Sequence, residues 1–191
     1  MMQLDGADGE AVVQLLHRYG LRLQPVAEAA PIPGSYWGDS EAGLRGATLF
    51  ARPDTPLHSI LHELAHYICM SPERRASLDT NAGGDDAEET AVCYLQVLLA
   101  ETLPGVSRAA LFADMDSWGY SFRLGTTARW FDEDAQEARA WLASAGITDS
   151  SGALTGRPRA CADRRSSASP GRFRLGGEKL VIVEPLTETP Q

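Results

Sequence analysis

His62-Glu63-Leu64-Ala65-His66 sets two imidazoles and one carboxylate at a spacing suited to hydrolysis assisted by a single metal ion. Side chains four apart on a helix lie one above the other, so His62 and His66 can offer ring nitrogens to a common zinc. Glu63 lies one step round the cylinder, where it can reach a water on the metal without ligating it and serve as general base and then proton carrier. A purely structural zinc site needs no such base. Glu63 therefore points to turnover, and the alternative is a non-catalytic, zinc-stabilised interaction or regulatory module.

Two histidines and one acid leave a fourth position open for water, which is the arrangement of a catalytic zinc site. The third ligand is sought on the next helical segment, DDAEETAVCYLQVLLAETL, which should begin near Asp85 with its early acids at the positive end. Ala91, Val92, Leu95, Leu98 and Leu99 form its apolar stripe. Glu88 projects into the middle of that stripe, where a carboxylate is costly unless paired or bound to metal. Glu88 is the candidate third ligand, Glu89 at the stripe's edge is the reserve, and Asp85 or Asp86 could hold a histidine N–H from behind. His58 stands too far along the axis from His66 to share one ion, and reads as a solvent-facing residue or a supporting group. Cys69 and Cys93 would make a closed, structural site if either ligated. Tyr67, Tyr94, Tyr120 and His58 are the candidates for stabilising an oxyanion.

The elements that must position these groups are legible in outline. Glu10 to Tyr19 reads as an amphipathic helix ended by Gly20, with Val12, Val13, Leu15 and Leu16 inward. A Pro/Gly-rich stretch from Pro25 to Gly46 follows, with Tyr36 and Trp37 as its expected buried anchors. Ala47 to Arg52 alternates as a strand would, with Thr55 as N-cap and Pro56 as first residue of the motif helix. On that helix Leu57, Ile60, Leu61, Leu64, Ala65 and Ile68 form one apolar stripe, and His62 and His66 lie nearly opposite it. A histidine pair held off the core stripe faces water or a second element. Ala113 to Arg123 reads as a turn and short strand whose Trp118, Tyr120 and Phe122 fill core, and Phe131 to Ala145 as a closing helix stopped by Gly146.

Composition bounds the rest. A chain of 191 residues with 43% hydrophobic and 23% charged residues suits one globular domain. No run has the length and hydropathy of a membrane span, and no signal-peptide pattern opens the sequence, so a cytoplasmic location without membrane contact is expected. Cys69, Cys93 and Cys161 are odd in number and suggest reduced thiols. Residues 1–149 carry 22 acidic against 10 basic side chains, and residues 150–191 carry 4 against 7. The body is a poor nucleic-acid binder. Only the basic, Ser/Pro/Gly-rich tail, with six arginines between Gly156 and Arg174, could touch a phosphate backbone weakly. Glu178 to Val183 reads as one short strand within that tail.

The HELAH helix, the polar connection after it, and Glu88-x-x-Ala91-Val92-x-Tyr94-Leu95-x-x-Leu98-Leu99 together resemble the ImmA/IrrE-like zinc peptidases of gluzincin type. Val92 stands where that family usually has Asn. The resemblance spans roughly Ala47 to Leu99. It implies zinc as cofactor, His62, His66 and Glu88 as ligands, Glu63 as base, and a protein or peptide substrate, often a transcriptional regulator. It also implies an α+β, zincin-like core in which a small mixed or antiparallel sheet packs on the motif helix and the second ligand-bearing helix, and the acidic body, residues 1–149, is expected to be that catalytic domain, followed by the basic tail of residues 150–191.

Overall fold

The computed structural model describes residues 1–35, 38 and 40–160. Strands β1 (Arg22–Pro25), β2 (Gly43–Arg45) and β3 (Thr48–Ala51) form a small mixed sheet in the order β1-β3-β2. β1 runs parallel to β3 with Leu23 opposite Leu49, and β2 runs antiparallel with Leu44 opposite the same residue. Helix α1 (Gly9–Arg18) precedes β1 and is capped by Asp8, whose side chain accepts from the Ala11 N–H. Val12, Leu15 and Leu16 bury its inner face as expected, Val13 is only half-buried, and Gly20 takes the left-handed conformation (φ 88°) that turns the chain into β1.

The sheet is half of the frame around α2 (Leu57–Cys69), which packs on β3 on one side and on α4 (Asp86–Ala100) on the other. All six apolar stripe residues of α2 are buried. Burying a leucine or isoleucine side chain is worth about 1.5–3 kcal/mol, against about 1 kcal/mol net for a typical hydrogen bond. The leucines therefore fix the rotation of α2, and His62 and His66 are carried to the α4 side as a consequence.

The N-terminal end of α2 is closed differently from the sequence expectation. Thr55 is not its N-cap. The Thr55 hydroxyl instead accepts from the Arg52 N–H (2.9 Å) and tightens the turn out of β3, while Pro56, lacking an N–H, takes the cap position and the Leu57 N–H donates to the Met2 carbonyl (2.9 Å). At the other end the carbonyls without helical partners are met by two arginines: Arg75 reaches those of Tyr67 and Met70, and the backbone N–H of Arg159 reaches that of Ile68 (2.9 Å).

A short helix, α3 (Pro72–Ala76), capped by Ser71, leads into the polar connection. Beyond α4, residues 113–123 depart from the expected turn and strand. Asp114 to Trp118 belong to a helix, α5 (Arg108–Trp118), capped by Ser107 and closed by Gly119 (φ 106°). Phe122 is buried, whereas Trp118 and Tyr120 are half-buried. The expected closing helix is two helices, α6 (Thr127–Glu133) and α7 (Gln136–Ser144), broken at Asp134 and Ala135. The break lets Ala135 bury completely while Thr126 caps α6, a local signal the Thr-Thr pair already carried. Gly146 ends α7 with φ 71°, as expected. Residues 154–159 stay hydrogen-bonded to the body through Thr155 to Ile147 and Arg159 to Ile68. The expected anchors Tyr36 and Trp37, the third cysteine and the 178–183 strand lie outside the described residues. Among the described residues no helix is long and apolar enough to cross a membrane.

Candidate metal centre

Antiparallel packing of α2 on α4 brings His66 to Glu89 and His62 to Gln96. Glu89, Cys93 and Gln96 lie at i, i+4 and i+7, so they form the edge of α4 that meets the histidine edge of α2. The His62 and His66 Nε2 atoms are 3.1 Å apart, and Glu89 Oε2 is 3.6 Å from His66 Nε2. One ligand atom from each of the three residues lies within 4.8 Å of the other two. This His-His-Glu cluster, on two helices, is geometrically capable of holding a metal ion such as zinc.

The donor chemistry fits a cation. Ligand atoms at about 2.0–2.2 Å from a tetrahedral zinc are separated by roughly 3.3–3.5 Å, and the two observed separations bracket that value. Gln96 Oε1 lies 3.0 Å from His62 Nδ1, so a neutral His62 donates there and turns a lone pair outward at Nε2. His66 Nδ1 is buried and has no hydrogen-bond partner among the described residues. With His62 protonated at Nδ1, the 3.1 Å contact makes His66 Nε2–H the donor to His62 Nε2; a bound cation would take the place of that proton between the two rings, with the Glu89 carboxylate beside them. Burial holds both rings neutral: His62 is brought down to about 4, partly opposed by its bond to Gln96, and His66 falls well below its ordinary value. Uncharged imidazoles facing a carboxylate are what a divalent cation requires.

The chain matches no family model, no curated protein and no solved structure.

Glu88 sits elsewhere. It is buried, as its place in the apolar stripe suggested, but its partner is Arg74 at 2.5 Å, with Arg159 at 3.6 Å. Arg74 is itself held by the carbonyls of Ala82 (3.0 Å) and Gly83 (2.8 Å). The double glycine serves both acids. The Gly84 N–H donates to Glu89 Oε1 (3.1 Å), and a Cβ on Gly84 would stand 2.6–2.7 Å from the Glu88 side chain, too close for any other residue without displacement. It is thus Glu89, the reserve choice, that the structure brings to the histidines. Desolvation pushes its carboxyl above the ordinary range, countered by the Gly84 N–H.

Asp85 does not hold a histidine. It caps α4, accepting from the Glu88 N–H (2.8 Å), and Gln96 fills the supporting role the sequence reading gave to acids. Gln96 is fully buried and donates from Nε2 to Met115 Sδ on α5 (2.9 Å). Its signal was its place seven residues after Glu89. A polar residue at that register, on a helix otherwise apolar nearly all round, needs a partner.

Glu63 is half-buried beside the cluster, and desolvation together with the carboxylates of Glu41 and Glu89 pushes its carboxyl up to about 8. His58 is not solvent-facing: it is 1% exposed, neither ring nitrogen has a hydrogen-bond partner among the described residues, and the ring packs edge-on to Trp118 (5.0 Å between centroids) and Tyr120 (5.9 Å). Of the candidate electrophiles, Tyr120 also packs 5.9 Å from the His62 ring, and burial lifts its phenol well above the ordinary value. Tyr94 stacks on Phe131 (4.3 Å) and Tyr67 lies under the Arg75 guanidinium (5.7 Å), so both are occupied elsewhere. Cys69 and Cys93 are buried free thiols raised by desolvation, and neither joins the cluster.

Proposed function

We propose that the chain is a zinc-dependent peptidase acting on a protein or peptide, with His62, His66 and Glu89 holding the metal and Glu63 acting as base. The observation that carries this reading is the convergence of two imidazole nitrogens and a carboxylate from two helices, with Glu63 adjoining His62 on the same helix and outside the ligand set. Zinc bound there would polarise a substrate carbonyl and lower the pKa of water towards about 7. Glu63 takes the proton from the attacking water and returns it to the leaving amine. In the metal-free protein burial and the neighbouring carboxylates raise the Glu63 carboxyl, and a bound cation would draw it back down into the range in which it can both accept and return a proton. Gln96 keeps His62 turned toward the cluster. Tyr120, the one candidate phenol packed against a ligand histidine, is the group best placed to donate to a developing oxyanion.

The same arrangement supports the zincin-like reading of the core and, more narrowly, the resemblance to ImmA/IrrE-like peptidases, with Glu89 taking the role the resemblance gave to Glu88. A transcriptional regulator as substrate follows from that resemblance alone.

Metal analysis and proteolysis of an unfolded protein substrate test this together. The wild type should carry one zinc per chain and cleave, and Glu63→Gln should keep the zinc while cleaving about 10²–10⁴-fold more slowly. Stoichiometric zinc without cleavage by the wild type would favour the zinc-stabilised module instead. Undiminished cleavage by Glu63→Gln would remove the proposed base.

A further inference from the structure

We infer that Gln96 and Met115 together lock the tautomer of His62, with Met115 serving as a positioning residue that acts on the metal centre through an amide it prevents from turning over. The role of His62 as a ligand rests on the function proposed above. The lock itself is read from the polypeptide alone.

A glutamine side chain ends in two groups of nearly equal size and opposite hydrogen-bonding sense. If Gln96 presents its oxygen to His62 Nδ1, that nitrogen must carry the proton, and Nε2 is left with a free lone pair. If the amide turns by 180°, its NH2 faces Nδ1, the proton moves to Nε2, and an N–H points into the cluster where His66 Nε2 stands 3.1 Å away. The ring cannot ligate through Nε2 in that state. What selects the first orientation is the other end of the amide. Met115 Sδ lies 2.9 Å from Gln96 Nε2, and a thioether accepts weakly and never donates. A reversed amide would set an oxygen lone pair against sulfur lone pairs in a site with no water to intervene, since Gln96 and Met115 are both 0% exposed.

The choice of residues therefore reads as a chain: Met115 fixes Gln96, Gln96 fixes His62, and His62 presents Nε2. The Tyr120 ring packs edge-on against the His62 ring (5.9 Å between centroids) and further restricts it. A carboxylate in place of Gln96 would also fix the tautomer, because it has no donor end. It would add a negative charge behind the histidine, which the neutral amide avoids. The amide needs a gatekeeper where a carboxylate would not.

Met115→Leu is the decisive variant, because it conserves volume, leaves His62 and Gln96 in place, and removes only the acceptor. Nitrogen NMR of the imidazoles in the metal-free protein, with each of the four histidines assigned by single replacement, reads the tautomer directly. The wild type should show His62 protonated at Nδ1, and Met115→Leu should show a mixture. In chelator competition with zinc, Gln96→Leu should bind about 10–100-fold more weakly, Met115→Leu about 3–10-fold more weakly, and Gln96→Glu as tightly as the wild type or tighter. A wild-type His62 protonated at Nε2, or a Met115→Leu protein with unchanged tautomer and unchanged zinc affinity, would overturn the lock. If zinc fails to bind the wild type while the tautomers shift as described, the metal reading falls and the lock stands.

Discussion

The first turn of α4 presents two adjacent carboxylates to opposite surroundings. Glu88 turns to Arg74 and Arg159, and Glu89 turns to His62 and His66. One step of about 100° on a helix separates an acid whose charge is met by two guanidinium groups from an acid that meets a backbone N–H and a neutral ring. On the Glu88 side the charges balance within the polypeptide, with carbonyls of Ala82 and Gly83 taking the remaining Arg74 donors. On the Glu89 side they do not. Burial raises the Glu89 carboxyl and depresses both histidines, and the Arg74 guanidinium acts on Glu89 and His66 only at longer range than on Glu88. The contrast shows why a buried acid in an apolar stripe does not identify a ligand: burial demands a partner, and arginine is as good an answer as a metal.

Removing the charge from each acid in turn should break the comparison most sharply. Glu89→Gln keeps the shape and the Gly84 contact but loses the anionic donor. Zinc affinity should fall on the order of 10³-fold by chelator competition, with the metal-free protein no less stable than the wild type in urea. Glu88→Gln should do the reverse. Its partners are about one-third exposed, which softens the usual cost of leaving a buried charge unpaired, so a loss of roughly 2 kcal/mol in urea unfolding is expected, with zinc affinity changed less than about threefold. If Glu88→Gln loses the metal and Glu89→Gln retains it, the assignment of the two acids is reversed.

What could be read from sequence divides along the same line. The rotation of α2 was legible because six aliphatic side chains repeat at helical spacing, and no competing arrangement buries as much of them. The start of α4 at Asp85 was legible from its own capping chemistry. The register between the two helices was not, because it depends on how the buried side chains of α4 seat against α2, and periodicity describes only one helix at a time. That register decides between Glu88 and Glu89, and it alone brings Gln96 to His62. The helix over Arg108–Trp118 was hidden by its aromatic and acidic content, which resembles a turn until Ser107 is recognised as a cap. His58 misled for a related reason: a histidine in the first turn of a helix is usually wet, but here Trp118 and Tyr120 arrive from α5 and the loop after it and close over the ring.

The smallest expected effect tests whether the two sides of α4 are independent. Arg159→Ala removes a guanidinium that lies 3.6 Å from Glu88, 3.5 Å from the Cys69 carbonyl and 5.2 Å over the Trp141 ring, while leaving its backbone bond to Ile68 intact. Arg159 is about one-third exposed and Arg74 already holds Glu88, so the loss should be only about 0.5–1 kcal/mol in urea unfolding, shrinking as salt screens the longer ion pair. Combined with Glu88→Gln, the two losses should sum to less than their separate values, because the ion pair is counted once in each. Zinc affinity should not move, since no Arg159 contact reaches His62, His66 or Glu89. A loss of zinc affinity in Arg159→Ala approaching that of Glu89→Gln would mean that the arginine clamp sets the position of Glu89 through the helix turn they share, and that the closed and open sides of α4 are one unit.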